Sequence, residues 1–146
     1  MHLTLHTDYA LRVLLYLNHF PDRPIGTAEI SRAFDISKHH LVRVVQTLAL
    51  HNFVTATAGR TGGVTLAKPA AQIRLGDVVR ACEPNLKIVE CFELESNTCP
   101  IVSICGLKSP LREALQNFLK SLDAYTLADV ASPQQHNRFV KLLNPQ

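Results

Sequence analysis

The chain has 146 residues, of which 47% are hydrophobic, and these values are typical of one globular domain or of a small domain with an extension. No apolar run approaches the roughly 20 residues that a membrane-spanning helix requires, and the first residues lack the basic region and cleavage site of a signal peptide. We therefore expect a cytoplasmic protein with reduced thiols and no membrane partner.

The net charge of +3 is unevenly distributed along the chain. Residues 1–68 contain seven Lys or Arg and four Asp or Glu, whereas residues 69–146 contain eight of each kind. No acidic residue lies between Asp35 and Asp77, and a basic segment without carboxylates suits a polyphosphate partner. On charge alone, an ordinary solvated basic face explains the pattern equally well. The cations of this segment are Lys38, Arg43, Arg60, Lys68 and Arg74.

Three helices are predicted for the N-terminal half. The first runs from its N-cap Thr7 to about His19 and ends at the proline-containing loop FPDRPIG. A short second helix follows the N-cap Thr27, and a third helix, KHHLVRVVQTLALH, follows the N-cap Ser37. Because only the tight turn DIS separates the last two helices, they fit a helix-turn-helix. An ordinary helical hairpin with a polar face is the alternative.

A β-hairpin is predicted next, because FVTATAGRTGGVTLA alternates apolar and polar residues on both sides of GRTGG. A helix-turn-helix followed by such a hairpin is a winged helix, whose third helix enters the major groove of DNA while the wing lies along the backbone or in the minor groove. We assign this winged domain to residues 1–68 and predict double-stranded DNA as its partner. The predicted DNA-contacting residues are Ser37, Lys38, His39, His40, Arg43, Gln46, Arg60, Thr61, Gly62 and Gly63.

The C-terminal half is predicted to be mainly helical, which makes the fold class mainly α with a small β-hairpin. Residues 69–84 contain a connecting helix, and residues 85–106 form a loop that we name the cysteine loop. Residues 107–146 contain a long helix, capped by Ser109 and opened by Pro110, and a C-terminal segment. The apolar stripe of the long helix is too long for the winged domain to cover, so we expect a homodimer, with packing inside one subunit as the alternative. The stripe consists of Leu111, Ala114, Leu115, Phe118, Leu119 and Leu122.

Three of the four cysteines, Cys91, Cys99 and Cys105, lie in the cysteine loop. Seven residues separate the first two and five separate the last two, whereas structural zinc sites use closer pairs and thioredoxin-type dithiols need Cys-x-x-Cys. Wide spacing in a flexible loop suits an iron–sulfur cluster and leaves one ligand to come from elsewhere. Cys82 is a candidate, but its place on a predicted helix from about Leu75 favours a buried free thiol that behaves as a small hydrophobe.

Several segments resemble the NsrR group of nitric-oxide-sensing repressors, relatives of the iron–sulfur regulator IscR. These segments are HTDYALRVLLYL, ISKHHLVRVVQTL, GRTGGVTLAKP, IRLGDVVRACEP, CPIVSIC and YTLADV, and the similarity extends over roughly residues 1–130. The resemblance implies a homodimeric winged-helix repressor that binds a two-fold symmetric DNA operator and responds to nitric oxide. It also implies that each subunit holds a cluster through the three cysteines of the cysteine loop.

For the cluster itself, the resemblance implies the 4Fe–4S type, with 2Fe–2S as the alternative, and the partner subunit's Asp8 as the fourth ligand. A structural role also explains the presence of Asp8. A negative charge in the first helical turn interacts favourably with the helix dipole, and the carboxylate can pair with Arg12. His2 and His6 are alternative ligands.

One departure from the group bears on the cluster, because the gap between Cys91 and Cys99 is longer than is usual in the group. IscR-like members carry a histidine just after the third cysteine, whereas this chain has Gly106 and Leu107 there, which disfavours that variant of the ligand set. The main alternative function is an IscR-like sensor of iron–sulfur supply or oxidative stress on the same scaffold, and a thiol redox protein or cluster carrier is less favoured. We expect no enzyme, because the sequence shows no catalytic triad, phosphate-binding loop or paired carboxylates.

Overall fold

The computed structural model describes residues 2–59, 62–93 and 95–143, most of which are helical. Within these ranges, one antiparallel β-hairpin interrupts the helices, and the short 3₁₀ turns Ala70–Gln72 and Glu90–Phe92 lie in the connections. None of the helices in this described part is long and apolar enough to cross a membrane. The elements in chain order are α1 (Leu5–His19), α2 (Thr27–Phe34), α3 (Lys38–Leu50), β1 (Val54–Thr57), β2 (Gly63–Leu66), α4 (Leu75–Cys82), α5 (Lys108–Asp123), α6 (Leu127–Val130) and α7 (Pro133–Leu143).

Helix α1 is the centre of the fold, since it packs against α3, α4 and β2. It begins at Leu5, because the Thr4 hydroxyl accepts a 3.3 Å hydrogen bond from the backbone N–H of Thr7 and thereby caps the helix. The prediction of Thr7 as the N-cap was wrong by one turn, and Thr7 is instead buried inside the helix. The buried apolar face of α1 consists of Ala10, Val13, Leu14, Tyr16 and Leu17.

Helices α2 and α3 form the predicted helix-turn-helix. The turn between them is tight, because Asp35 adopts a left-handed conformation with φ 52° and ψ 41°. The Ser31 hydroxyl strengthens the turn by donating a 2.6 Å hydrogen bond to the Ile36 carbonyl. Ser37 caps α3 by accepting a hydrogen bond from the His40 N–H at 3.3 Å, which confirms its predicted capping role.

Helix α2 is held against α1 by a polar network. It begins at Thr27 with Gly26 as its N-cap, so the predicted cap at Thr27 was wrong by one residue. The Tyr16 hydroxyl donates to the Glu29 carboxylate at 2.9 Å, and both terminal nitrogens of Arg23 donate to the same group at 2.7 and 2.9 Å. Burial, and then this hydrogen bond to Glu29, raise the pKa of Tyr16 to about 12, so the phenol remains a neutral donor.

The predicted wing is present as strands β1 and β2, which pair antiparallel with Val54 opposite Leu66. The backbone of Ile25 extends this hairpin by exchanging hydrogen bonds of 3.0 and 2.8 Å with Val64. Gly63 permits this pairing, because a Cβ atom there would lie within 3.0 Å of the Ile25 backbone. The wing is therefore fastened to the loop that precedes α2.

Helix α4 matches its predicted range, from about Leu75 to Cys82, and contributes Cys82 to the same core as α1. Helix α5 begins at Lys108 without a side-chain cap, so the prediction of Ser109 as its N-cap was wrong. No residue of α5, all of which the structure describes, is buried. A bidentate ion pair between Arg80 and Asp123, with both N–O distances at 2.6 Å, joins the end of α5 to α4.

The chain returns to the core after α5. Leu127 of α6 is buried, and its N–H donates a 2.8 Å hydrogen bond to the Ile73 carbonyl. Helix α7 then packs on α1 and α2, where the Phe139 ring stacks on His19 with ring centroids 4.0 Å apart. Burial lowers the pKa of His19 and the nearby His136 lowers it further, so this imidazole is neutral at physiological pH.

Candidate DNA-binding surface and cysteine loop

The exposed side of α3 carries the DNA contacts that the sequence predicts in this helix. The opposite side, formed by Leu41, Val44 and Leu48, is fully buried against α1 and α2. Within the described residues neither Lys38 nor Arg43 forms a salt bridge, so both cations face solvent without a carboxylate partner. We name this exposed side the recognition surface. It consists of Ser37, Lys38, His39, His40, Arg43 and Gln46.

The first turns of α1 contact the recognition surface. His6 Nε2 lies 3.1 Å from the Thr47 hydroxyl oxygen of α3, and the Tyr9 ring lies 6.1 Å from the His40 ring. His6, Tyr9, His40 and Arg43 line a cleft of about 230 Å³ between the two helices. The N-terminal end of α1 therefore contacts α3 directly.

The wing tip connects β1 and β2. Arg60 and Thr61, both predicted DNA contacts, lie outside the described residues. Gly62 donates a 3.1 Å hydrogen bond to the Gly59 carbonyl, and a Cβ atom at Gly62 would collide with the backbone of the preceding turn. Gly62 and Gly63 thus have a steric role in shaping the wing, and their contact with DNA stays a prediction.

The cysteine loop connects α4 to α5 and contains three free thiols. Cys91 lies in the 3₁₀ turn and Cys99 and Cys105 follow it, all three half-buried. The loop folds back on itself, because the Glu90 carboxylate accepts hydrogen bonds from the N–H and the hydroxyl of Thr98 at 2.6 and 2.7 Å. These bonds lower the pKa of Glu90, so the carboxylate that holds the loop is ionised at neutral pH.

The three thiols of the cysteine loop offer the donor atoms that an iron–sulfur cluster uses. Among the described residues, no three side chains of His, Cys, Asp or Glu converge in a way that could hold a metal ion. This holds for Cys91, Cys99 and Cys105, and equally for Asp8 and the two N-terminal histidines. The cysteines fit an iron–sulfur cluster by their chemistry and by sharing one loop.

Asp8 lies in the first turn of α1, and its carboxylate pairs with Arg12 at 2.6 Å. The two side chains are 39% and 43% exposed, which makes this a surface ion pair. Such pairs at i and i+4 on a helix contribute only about 0.3–0.5 kcal/mol, since water screens them. Asp8 can therefore exchange this partner for another at little cost in stability.

Glu83, which the sequence did not single out, joins the base of the cysteine loop to α1. Its Oε1 accepts hydrogen bonds from the Thr4 N–H at 2.8 Å and from the Thr4 hydroxyl at 3.1 Å. Burial raises the pKa of Glu83, but hydrogen bonds from Thr7 and Thr4 outweigh burial and lower the pKa below its ordinary value. An acid at the end of α4 opposes the helix dipole, and this was the signal in the sequence that pointed to a tertiary partner.

The fourth cysteine, Cys82, is separate from the loop thiols because it is buried in the core. Burial raises the pKa of its thiol to about 11, with a smaller contribution from the charge of Glu83. The thiol is therefore protonated at neutral pH, and this is the form that does not bind metal. The prediction that Cys82 behaves as a small apolar side chain is confirmed.

A winged helix-turn-helix whose recognition helix is exposed defines a class of protein, the winged-helix transcriptional regulators. Residues 3–133 match the model of the Rrf2 family, described as iron-dependent transcriptional regulators, and the chain belongs to this family. It is 46% identical over 131 residues to the HTH-type transcriptional regulator NsrR of Geobacillus kaustophilus, with 89% of each chain covered. The predicted resemblance is thus confirmed, and the relatives are regulators rather than enzymes, as expected.

Solved structures of the same family confirm the predicted fold class. The structure of CymR (YrzC), the global cysteine regulator of B. subtilis, is 25% identical and superposes with a TM-score of 0.68, covering 90% of this chain and 96% of that one. The structure of IscR from T. potens is 23% identical with a TM-score of 0.70, covering 89% of this chain and 85% of that one. The chain is therefore a transcriptional regulator of the Rrf2 family with the winged-helix fold.

Proposed function

We propose that this chain is a homodimeric DNA-binding repressor whose affinity for a two-fold symmetric operator is controlled by an iron–sulfur cluster and by nitric oxide. The observation that carries the proposal is the position of the three free thiols. They share one loop, whose base is bonded to α1 through Glu83 and whose end leads directly into α5. The loop thus lies between the helix that contacts the recognition surface and the helix that we assign to the dimer.

Electrostatics supports the DNA partner. The chain has no acidic residue between Asp35 and Asp77, and this span contains α3 and the wing. Lys38 and Arg43 have no carboxylate partner among the described residues, so DNA phosphates can take that place. Each phosphate contact releases bound counterions, and we therefore expect the affinity for DNA to fall steeply as salt rises.

The apolar side chains that this chain leaves uncovered support the homodimer. Ile104 and Leu107, just before α5, are 85% and 67% exposed, and the apolar stripe continues along the helix. A contiguous apolar surface of this kind is expected to lie against a partner, and a second copy is the commonest partner. A two-fold dimer directs its two recognition surfaces at half-sites about 34 Å apart. The half-buried members of the stripe are Leu111, Leu115, Phe118, Leu119 and Leu122.

Cys91, Cys99 and Cys105 would hold the cluster as thiolates, with the partner subunit's Asp8 as the fourth ligand. We favour the 4Fe–4S type over 2Fe–2S, as in the resemblance to the NsrR group. The bound cluster supplies iron atoms with which nitric oxide reacts. Asp8 is suited to the fourth position, because only a weak surface ion pair with Arg12 competes for its carboxylate.

Contacts within the chain connect the cysteine loop to the DNA-binding helix α3 through the first turn of α1. When Asp8 and the thiols are engaged, the first turn of α1 and the base of the loop are held in one position. The same turn contacts α3 through His6 and Tyr9. Release of Asp8 back to Arg12 lets this turn move, and the two recognition surfaces lose their spacing. Because the coupling is reciprocal, operator DNA should also strengthen retention of the cluster.

Anaerobic purification followed by iron and sulfide assays and operator binding tests the proposal. We expect the loaded protein to bind its operator, and nitric oxide to weaken that binding. Changing Cys91, Cys99 or Cys105 to Ser should abolish iron retention. Cys82→Ala is the matched control, because the thiol of Cys82 is buried in the core and protonated at neutral pH, and this variant should retain iron and the response.

Two outcomes contradict the proposal. If the protein contains no iron and sulfide even after reconstitution, it does not bind a cluster. If its operator affinity is equal with and without the cluster, the cluster does not control DNA binding. If affinity depends on the cluster but not on nitric oxide, the result favours an IscR-like sensor of iron–sulfur supply or oxidative stress.

A further inference from the structure

We propose that Val42 is a specificity-determining residue that contacts the C5-methyl group of a thymine in each half-site of the DNA. The inference rests on the proposed function and adds to it one base that the recognition surface selects. It starts from the exposure of this residue. Val42 is apolar and yet 45% exposed, among the polar and charged side chains of the recognition surface.

Val42 shares a face with three of the predicted DNA contacts. His39, Val42, Arg43 and Gln46 follow the spacing i, i+3, i+4 and i+7, and all four are exposed. Side chains at this spacing lie on one face of a helix, and a helix in the major groove presents such a face to the base edges. Lys38, one turn earlier, lies beside Val42 and can hold the adjacent phosphate.

The fold makes no use of a valine at this position. The core of the described residues includes Leu41, Val44 and Val45 of the same helix, whereas Val42 neither belongs to it nor packs against it. Valine is also a poorer helix former than alanine, because its branched side chain loses rotamer freedom in a helix. An exposed valine here therefore lowers stability slightly, which points to a role in contacting a ligand.

The chemistry of the duplex identifies the group that Val42 contacts. The thymine C5-methyl is the apolar group that a base pair presents in the major groove, and apolar side chains of recognition helices contact it. Phosphates and the other base edges offer charges, donors and acceptors, which suit Arg43 and Gln46 instead. Val42 thus selects thymine at one position, while its polar neighbours read the bases beside it.

The experiment starts with selection of the preferred duplex from a random-sequence pool, using the full-length, cluster-loaded protein without oxygen. Each thymine of one selected half-site is then replaced singly by deoxyuridine, which lacks only the methyl group. We expect one thymine whose replacement raises the Kd of the wild-type protein about fourfold, the change that corresponds to exposing one methyl group. Val42→Ala should weaken binding to the thymine duplex and abolish the effect of deoxyuridine at that position.

Leu50→Ala is the matched control. Leu50 is another exposed apolar residue of α3, at 82%, but it lies at the C-terminal end of the helix, beyond the recognition surface. This variant should keep the full effect of deoxyuridine. Val42→Ala should unfold at the same temperature as the wild-type protein or slightly above it, which excludes loss of structure as the cause of weaker binding.

Two results overturn the contact by Val42. One is that deoxyuridine at every thymine of the half-site leaves the wild-type Kd unchanged, and the other is that it changes the Kd of the wild-type protein and of Val42→Ala equally. A pool in which no sequence is enriched would overturn the proposed sequence-specific binding itself, together with this contact. The two failures are therefore distinguishable.

Discussion

Two regions of the chain, residues 7–82 and residues 83–126, differ in how they obtain their structure, and we call them here the first and the second half. Between Thr7 and Cys82 the chain builds a continuous core, which includes Leu14, Leu41 and Val78. Between residues 83 and 126, by contrast, none of the described residues is buried, although this segment contains the whole of α5. The first half, whose core also takes in Leu127 of α6, therefore holds its fold by packing, whereas the second half forms helices and turns without a core of its own.

This difference is what a regulated protein requires. A segment with few buried contacts has low local stability, so binding of a metal centre or a partner contributes directly to its ordering. In the proposed function, the cysteine loop and α5 change with the cluster and the second subunit, while the recognition helix keeps its structure. The response to the signal and the contact with DNA are thereby assigned to two parts of the chain that differ in stability.

The largest expected effect tests the core of the first half. Leu14→Ala should lower the free energy of unfolding by about 2–5 kcal/mol, because Leu14 is fully buried and its truncation leaves a cavity. Leu115→Ala, in the half-buried stripe of α5, is the control and should lower it by less than about 1 kcal/mol at concentrations where the protein is monomeric. Urea unfolding followed by circular dichroism measures both. Equal losses would show that the second half has a core of its own.

A charged residue in the apolar stripe of α5 tests whether a second copy of the chain covers this stripe in a homodimer. Leu119→Glu should weaken dimerisation by about tenfold or more, equivalent to about 1.4 kcal/mol, because the carboxylate would have to leave water. Asn117→Asp is the matched control, since Asn117 is exposed and lies on the opposite side of the helix. Sedimentation over a dilution series measures the association. A dimer as tight as wild type in Leu119→Glu argues against α5 as the interface.

The hydrogen bonds from Thr4 to Glu83 join the start of α1 to the base of the cysteine loop. Their contribution should be visible in the pH dependence of the free energy of unfolding. The folded-state pKa of Glu83 lies below its ordinary value of 4.5, so the ionised carboxylate stabilises the fold at neutral pH. That stabilisation is present above the ordinary value and is lost as the pH falls through the folded-state pKa. Glu83→Gln should therefore lower the free energy of unfolding by about 1 kcal/mol at neutral pH, since hydrogen bonds to charged groups are stronger than neutral ones.

The difference between Glu83→Gln and the wild-type protein should shrink as the pH falls below about 4.5. Chemical unfolding at neutral and acidic pH measures it, and Glu113→Gln, at an exposed position of α5, is the control. A difference that stays constant over this range would contradict the role of the charge.

The smallest expected effect on stability concerns Asp8. Asp8→Ala should lower the free energy of unfolding by less than about 1 kcal/mol, because it removes a surface ion pair with Arg12 and a negative charge in the first turn of α1. Arg12→Ala breaks the same pair and leaves the carboxylate in place, which makes it the matched control. If the partner subunit's Asp8 is a ligand, only Asp8→Ala should speed the transfer of iron from the loaded protein to a chelator. Equal rates in the two variants would exclude the ligand role.

Most of the winged domain could be predicted because its signals are local. The cap at Ser37, the turn before it and the hairpin of the wing each depend on a few neighbouring residues, and all three are present in the structure. The errors arose where several residues were equally suited to one role. Thr4 caps α1 instead of Thr7, and its N–H and hydroxyl also bond to Glu83, a residue 79 positions away.

By itself, the sequence determined the winged helix-turn-helix, a recognition helix without nearby acids, and three thiols on one loop. Only the tertiary structure decided that Glu83 holds the start of α1, that Phe139 covers His19, and that Val42 stays exposed. The reason is physical. Periodicity, caps and turns depend on neighbours along the chain, whereas burial and the hydrogen bonds of the half-buried Glu83 carboxylate depend on segments that meet only when the chain folds.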